Sequence, residues 1–270
     1  MLDPGGMAPT PCIAVDRYTG NDRDEIERFL TETYGVTSLH HPRRGDEVWF
    51  EHTTVATGDV ALNRLTSTLP FATTTGPLRQ VIVVSPRGGT LTWTTNRHGE
   101  VRVADRGVAL APVGEDFGCV VEPCEIDVVA LDAPRLADYA AHHCGIAPGT
   151  LEFTALRPLS PALARHWLNI VTHVHDDVLA NPWAAAQPIL RDQAFCALAA
   201  ALLSTFPNTA LDHVTDPDTP RITSEVSPTT LSRILDDLET HEPGMVAALS
   251  GLPVHEVLDE LRRRTRPHTA

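Results

Sequence analysis

The run THVHDD, residues 172–177, places His173, His175, Asp176 and Asp177 within five consecutive positions. Imidazoles and carboxylates hold divalent transition metals, and a metal with one open position would activate water for hydrolysis. The competing reading is the polar side of a packing helix. Two other sets could do chemistry. His142 and His143 stand beside Cys144, and Cys12, Cys119, Cys124, Cys144 and Cys196 are scattered along the chain.

The elements that carry these residues decide between the readings. SPALARHWLNIVTHVHDDVLAN (160–181) is predicted as a helix with Ser160 as its N-cap and Pro161 in its first position. Its apolar stripe, Leu163, Trp167, Ile170, Val171, Val174 and Val178, runs straight through THVHDD. His173 and Asp177 are then i,i+4 neighbours able to pair, while His175 points about 200° away from His173. The His-x-His-x-Asp spacing opens the metal motif of the metallo-β-lactamase type of hydrolase, but the position of its third histidine is Val178 here. The run is therefore expected to be the polar side of the helix, with His166 and His173 placed to line a dimer contact. Adjacent His142 and His143 point in different directions at a helix end that favours histidine electrostatically. The cysteines form no CxxC pair, and Cys119 and Cys124 are read as packing even though a hairpin could bring them together. No catalytic set, metal site or cofactor is assigned.

Composition narrows the class. The chain has 270 residues, 42% of them hydrophobic, with a formal charge of −14 and every basic residue an arginine. Such an acidic chain repels a phosphate backbone except at a local basic surface. No apolar run is long enough to span a membrane, and no basic segment followed by an apolar one opens the chain, so a cytoplasmic location is expected.

A disordered-looking start leads into a helix over 20–35, capped by Asn21 or Asp22 and followed by Gly35. From 39 to about 132 the texture is β: EVWFEHTTV, DVALNRLTST, RQVIVVSP, GTLTWTTN, EVRVADRGVALAP and CEIDVVALD, with Gly88-Gly89 and His98-Gly99 as turns. A barrel or sandwich is expected. Helices follow from 133 to 206, one restarted at Pro188, and 207–227 is predicted as a linker. Residues 228–270 hold short helices around Gly251 that resemble a helix-turn-helix unit.

This order resembles the AraC family of bacterial transcription regulators. The residues that carry the resemblance are GDVALNRLTS, VIVVSPRGGTLTWTTNRHGEVRVADRGVALAPVGE, LSPALARHWLNIVTHVHDDVLANP with LLSTFPNTAL, and MVAALSGLPVHEVLDELRRRT. The resemblance implies an α+β protein: a cupin-like β-barrel or jelly roll, a helical pair, and a short C-terminal helix-turn-helix segment. It also implies an AraC-like ligand-binding domain over 13–206 and a homodimer through the helices at 160–206. Family members carry two helix-turn-helix units, whereas this sequence contains the first alone, so a truncated regulator with reduced or lost DNA binding is expected.

Strand alternation supplies a candidate ligand site. Val48, Phe50 and His52 share one face of their strand and Trp49 the other; Arg64 is in step with Leu62, and Trp93 with Leu91. Trp49, His52, Arg64 and Trp93 form the candidate site for a small-molecule ligand. Arg262, Arg263, Arg264 and Arg266 are the candidates for weak DNA contact, at the far end of a helix whose first turns carry Glu256, Asp259 and Glu260. Two other functions fit the same pattern: an enzyme acting on a small molecule in the barrel, and a dimerisation partner of a full-length regulator.

Overall fold

The computed structural model describes residues 14–40 and 48–215. The chain divides into two compact units, 1–219 and 220–270. The helix-turn-helix segment and Arg262, Arg263, Arg264 and Arg266 lie outside the described residues.

Among the described residues, eleven strands form two antiparallel sheets. The first sheet has the order β1 (Ala14–Gly20), β3 (Phe50–Thr57), β4 (Val60–Ser67), β11 (Cys124–Asp132), β6 (Gln80–Arg87) and β9 (Ala109–Leu110). The second has the order β2 (Val36–His40), β5 (Phe71–Thr75), β10 (Phe117–Val121), β7 (Thr90–Thr95) and β8 (Gly99–Ala104). They pack face to face as a cupin-like jelly roll that is not closed into a continuous barrel, because no strand of one sheet is hydrogen-bonded to a strand of the other. Phe50, Leu65, Ile82, Val84 and Ile126 of the first sheet and Phe71, Leu91, Trp93, Phe117 and Val121 of the second are buried in the core.

The central strands β6 and β11 of the first sheet are buried on both faces, because helices cover its outer side. This explains QVIVVSPR: residues 81–86 are all buried, and the strand shows no alternation. The second sheet alternates, with Val120 and Thr94 facing out.

α1 (Arg23–Tyr34) begins where Asp22 accepts from the backbone N–H groups of Asp24 and Glu25, and ends at Gly35, whose φ is 65°. α2 (Ala133–Cys144) is capped by Asp132 and ends at Gly145. α3 (Pro161–His173) is capped by Ser160, as its sequence predicts, and continues into a π-helical segment, Val174–Leu179. α4 (Pro182–Ala186) and α5 (Pro188–Thr205) are separated at Gln187, in front of Pro188. Arg135 of α2 joins three elements: it pairs with Asp59 in the β3–β4 turn and Asp192 of α5, and its guanidinium lies 4.0 Å from the Phe195 ring centre.

Several elements differ from the sequence expectation. Gly88-Gly89 closes no hairpin; it is the corner where the chain leaves the first sheet for the second. Both glycines have positive φ, and a Cβ on Gly89 would meet the Pro123 carbonyl oxygen at 2.7 Å. The stretch 100–112 is likewise split: a turn through Arg106, at φ 57°, carries the chain from β8 to β9 in the other sheet. Residues 14–20, within the disordered-looking start, form an edge strand paired with β3. Thr209–Thr215, inside the stretch read as a linker, form α6, and buried Asn208 accepts from the Leu211 N–H to cap it.

Candidate functional site

The alternating inner residues of the two sheets enclose a cavity of about 100 Å³. Its wall is almost wholly apolar, with Trp93, Phe71 and Phe117 from the second sheet, Ile82 and Ile126 from the first, and Leu30 and Tyr34 from α1. Trp93 is 2% exposed and sits beside Cys119 on the neighbouring strand. Burial pushes the Cys119 thiol up to about 12, so it stays protonated and inert at neutral pH.

One polar group is built beside this wall. The Tyr34 hydroxyl lies 2.7 Å from Nε2 of His52, and Thr54 Oγ1 lies 3.3 Å from Nδ1. His52 is 3% exposed and packs edge-on to Phe29. Desolvation lowers its pKa to about 4, against a small opposing effect of Asp16. With the ring neutral, one ring nitrogen donates and the other accepts, so the Tyr34 hydroxyl and Thr54 Oγ1 take one role each. Burial also raises the pKa of Tyr34. The pair is therefore a neutral hydrogen-bonded unit at physiological pH.

The four sequence candidates for ligand contact do not meet in one place. Trp93 lines the inner cavity, and His52 reaches it through Tyr34. Trp49 is 42% exposed at the start of β3. Arg64 is on the outer face of the first sheet with Leu62, as their shared alternation predicts. There its Nε contacts Asp127 at 2.9 Å and Glu125 at 3.0 Å. Alternation identifies which residues share a face of one strand, but it cannot say which face of a doubly covered sheet looks toward which cavity.

THVHDD lies on the helix, with His173 2.6 Å from Asp177 and His175 2.7 Å from Asp176. Each imidazole is thus taken by a different carboxylate. No group of three or more His, Cys, Asp or Glu is placed to hold a metal among the described residues. Val174 and Trp167 are buried, as the apolar stripe requires. What a regular helical projection misses is the change to π-helix at Val174. In this wider turn His175 and Asp176 line a second, larger cavity between α3 and the outer face of the first sheet. No single-sequence signal marks that cavity, because its floor comes from strands of the first sheet and its roof from a helix far along the chain.

No helix among the described residues is long and apolar enough to cross a membrane. No protein-family model matches the sequence, and no curated protein matches it in sequence. Among solved structures, the AraC-like transcriptional activator CuxR is similar over 92% of this chain and 93% of its own, with a TM-score of 0.53 and 13% identity. A cupin superfamily protein from Desulfitobacterium hafniense DCB-2 matches 33% of this chain and 81% of its own, at 10% identity and a TM-score of 0.27. A helix-turn-helix transcriptional regulator from Vibrio cholerae matches 30% of this chain and 50% of its own, at 8% identity and a TM-score of 0.26. At 13% identity the likeness to the activator is one of fold alone.

Proposed function

We propose that this chain is a ligand-sensing, AraC-like transcriptional regulator whose sandwich interior takes a small apolar molecule and whose DNA contact is weak. The observation that carries the reading is the apolar cavity between the sheets, walled by Trp93, Phe71 and Phe117 and bordered by the Tyr34–His52 pair. Its protonated Cys119 and neutral Tyr34 offer no nucleophile or base at neutral pH, which supports binding over catalysis. At about 100 Å³ the cavity suits a ligand smaller than the benzene-sized guests of engineered protein cavities, which measure roughly 150 Å³.

A homodimer through the helices at 160–206 belongs to the same proposal. Trp183 of α4 is 83% exposed and Ile189 of α5 is 67% exposed, and such apolar surface is costly to leave wet. DNA contact would fall to the Arg262, Arg263, Arg264 and Arg266 cluster, one from each protomer. Glu256, Asp259 and Glu260, close to them in sequence, and the charge of −14 keep that contact weak and salt-sensitive.

The test is selection of fragments from a random DNA pool by the full chain, followed by fluorescence anisotropy across a salt series and sedimentation of wild type and Trp183→Glu. The expectation is a wild-type dimer, a more dissociated variant, and DNA affinity that falls steeply with salt. Tight, specific binding by a monomer would sink the proposal.

A further inference from the structure

The larger cavity lies outside the sandwich. It measures about 410 Å³, within the range of pockets that hold small organic ligands. Its floor is the outer face of the first sheet, Val55, Leu62, Val83 and Val129, and its roof is Trp167 and Val171 of α3. Thr53, Ser85 and Thr172 add hydroxyls, and Arg64, Arg87, Asp127 and Asp176 supply the charges, with His175 beside Asp176.

Those charges are arranged, with the two arginines held together on one carboxylate. Asp127 sits between the arginines, with Oδ1 2.9 Å from Nε of Arg64 and Oδ2 2.6 Å from Nε of Arg87. One carboxylate thus orients two guanidiniums through their Nε edges, and the η edges carry the remaining donors. Asp176 accepts from His175 at 2.7 Å and is satisfied locally. Arg64 and Arg87 are thus two cations that share one lining carboxylate, Asp127. Glu125 is the internal competitor for a guest at this arginine pair. It does not line the cavity, but it lies 3.0 Å from Arg64 and 3.8 Å from Arg87. In a chain of net charge −14, a fixed arginine pair beside an apolar chamber is a selective feature for one kind of guest.

We infer that this groove is a binding site for an amphipathic monoanion, an apolar ring system bearing one carboxylate. The body lies between the valine floor and Trp167, and the head takes the η donors of Arg64 and Arg87 in place of Glu125. The site is separate from the inner cavity, whose volume of about 100 Å³ excludes a fused ring system, so it stands or falls independently of the regulator reading.

The probe is 2-naphthoate, with the uncharged 2-naphthamide as its isostere, titrated calorimetrically into the full chain. Naphthoate should bind at least about tenfold more tightly than the amide, because a charge-assisted bidentate contact is lost in the amide. Arg64→Gln and Arg87→Gln should each weaken naphthoate about tenfold or more, with the amide unchanged. Glu125→Gln should tighten naphthoate several-fold, and this variant removes a surface carboxylate without opening the core. Equal affinity for naphthoate and naphthamide, no binding of naphthoate at millimolar concentration, or weaker binding after Glu125→Gln would each overturn the inference.

Discussion

His52 links the buried pair beside the inner cavity to a measurable pH dependence. Folding removes its ring from water and lowers its pKa from 6.5 to about 4. Between those values the unfolded chain binds a proton that the folded chain refuses. Stability from neutral His52 is therefore complete above about pH 6.5 and is lost as the pH falls toward 4. At ~1.4 kcal/mol per pH unit, the window carries ~3 kcal/mol, a large share of a typical domain's stability. The assay is urea unfolding of wild type and His52→Gln at intervals from pH 7.5 to pH 4, with the folded-state titration of the His52 ring followed by NMR. Glutamine keeps an acceptor and a donor but does not titrate, so the difference between the two stability curves isolates His52 from the other histidines. The expected wild-type curve falls more steeply below pH 6.5, and the gap closes by up to ~3 kcal/mol. Parallel curves, or a His52 resonance titrating near 6.5 in the folded protein, would refute the reasoning.

Two other perturbations test the packing. Arg135→Met should destabilise the chain by about 1–2 kcal/mol, since it frees Asp59 and Asp192 and removes the cation from Phe195. Much of that difference should vanish in high salt, and urea unfolding at two ionic strengths checks it. Gly88→Ala and Gly89→Ala share a positive-φ penalty of about 1 kcal/mol, but Gly89→Ala should cost clearly more because its Cβ meets the Pro123 carbonyl. Equal melting temperatures for the two variants would show that the corner has room to relax.

Local chemistry was legible in the residues themselves. Asp22 with Gly35, Ser160 with Pro161, and the break before Pro188 all bound helices in the structure, because a cap needs only neighbours in sequence. The stripe Trp167, Val174 and Val178 and the His173–Asp177 pair followed from helical spacing alone. Strand faces were equally legible, since Val48, Phe50 and His52 are buried together while Trp49 is exposed.

Whatever depends on distant partners was not. FATTT and FGCVV are short strands whose stability comes from each other and from β2 and β7, so neither announces itself locally. The AVDRYTG edge strand is held by main-chain bonds to β3, and backbone pairing leaves no trace in side-chain pattern. Gly88-Gly89 looked like a hairpin because a turn signal specifies a reversal, not the sheet that the chain enters next. The candidate site divided for the same reason. Sequence identified Trp93, His52 and Arg64 as unusual residues on their faces, but sheet pairing and helix cover alone placed Trp93 inward and Arg64 outward toward α3. The amino-acid sequence determined the helix caps and the faces of the strands it marks, because those depend on spacing along one backbone. Only the tertiary structure decided which faces meet, because that depends on the long-range burial of apolar surface shared by the whole domain.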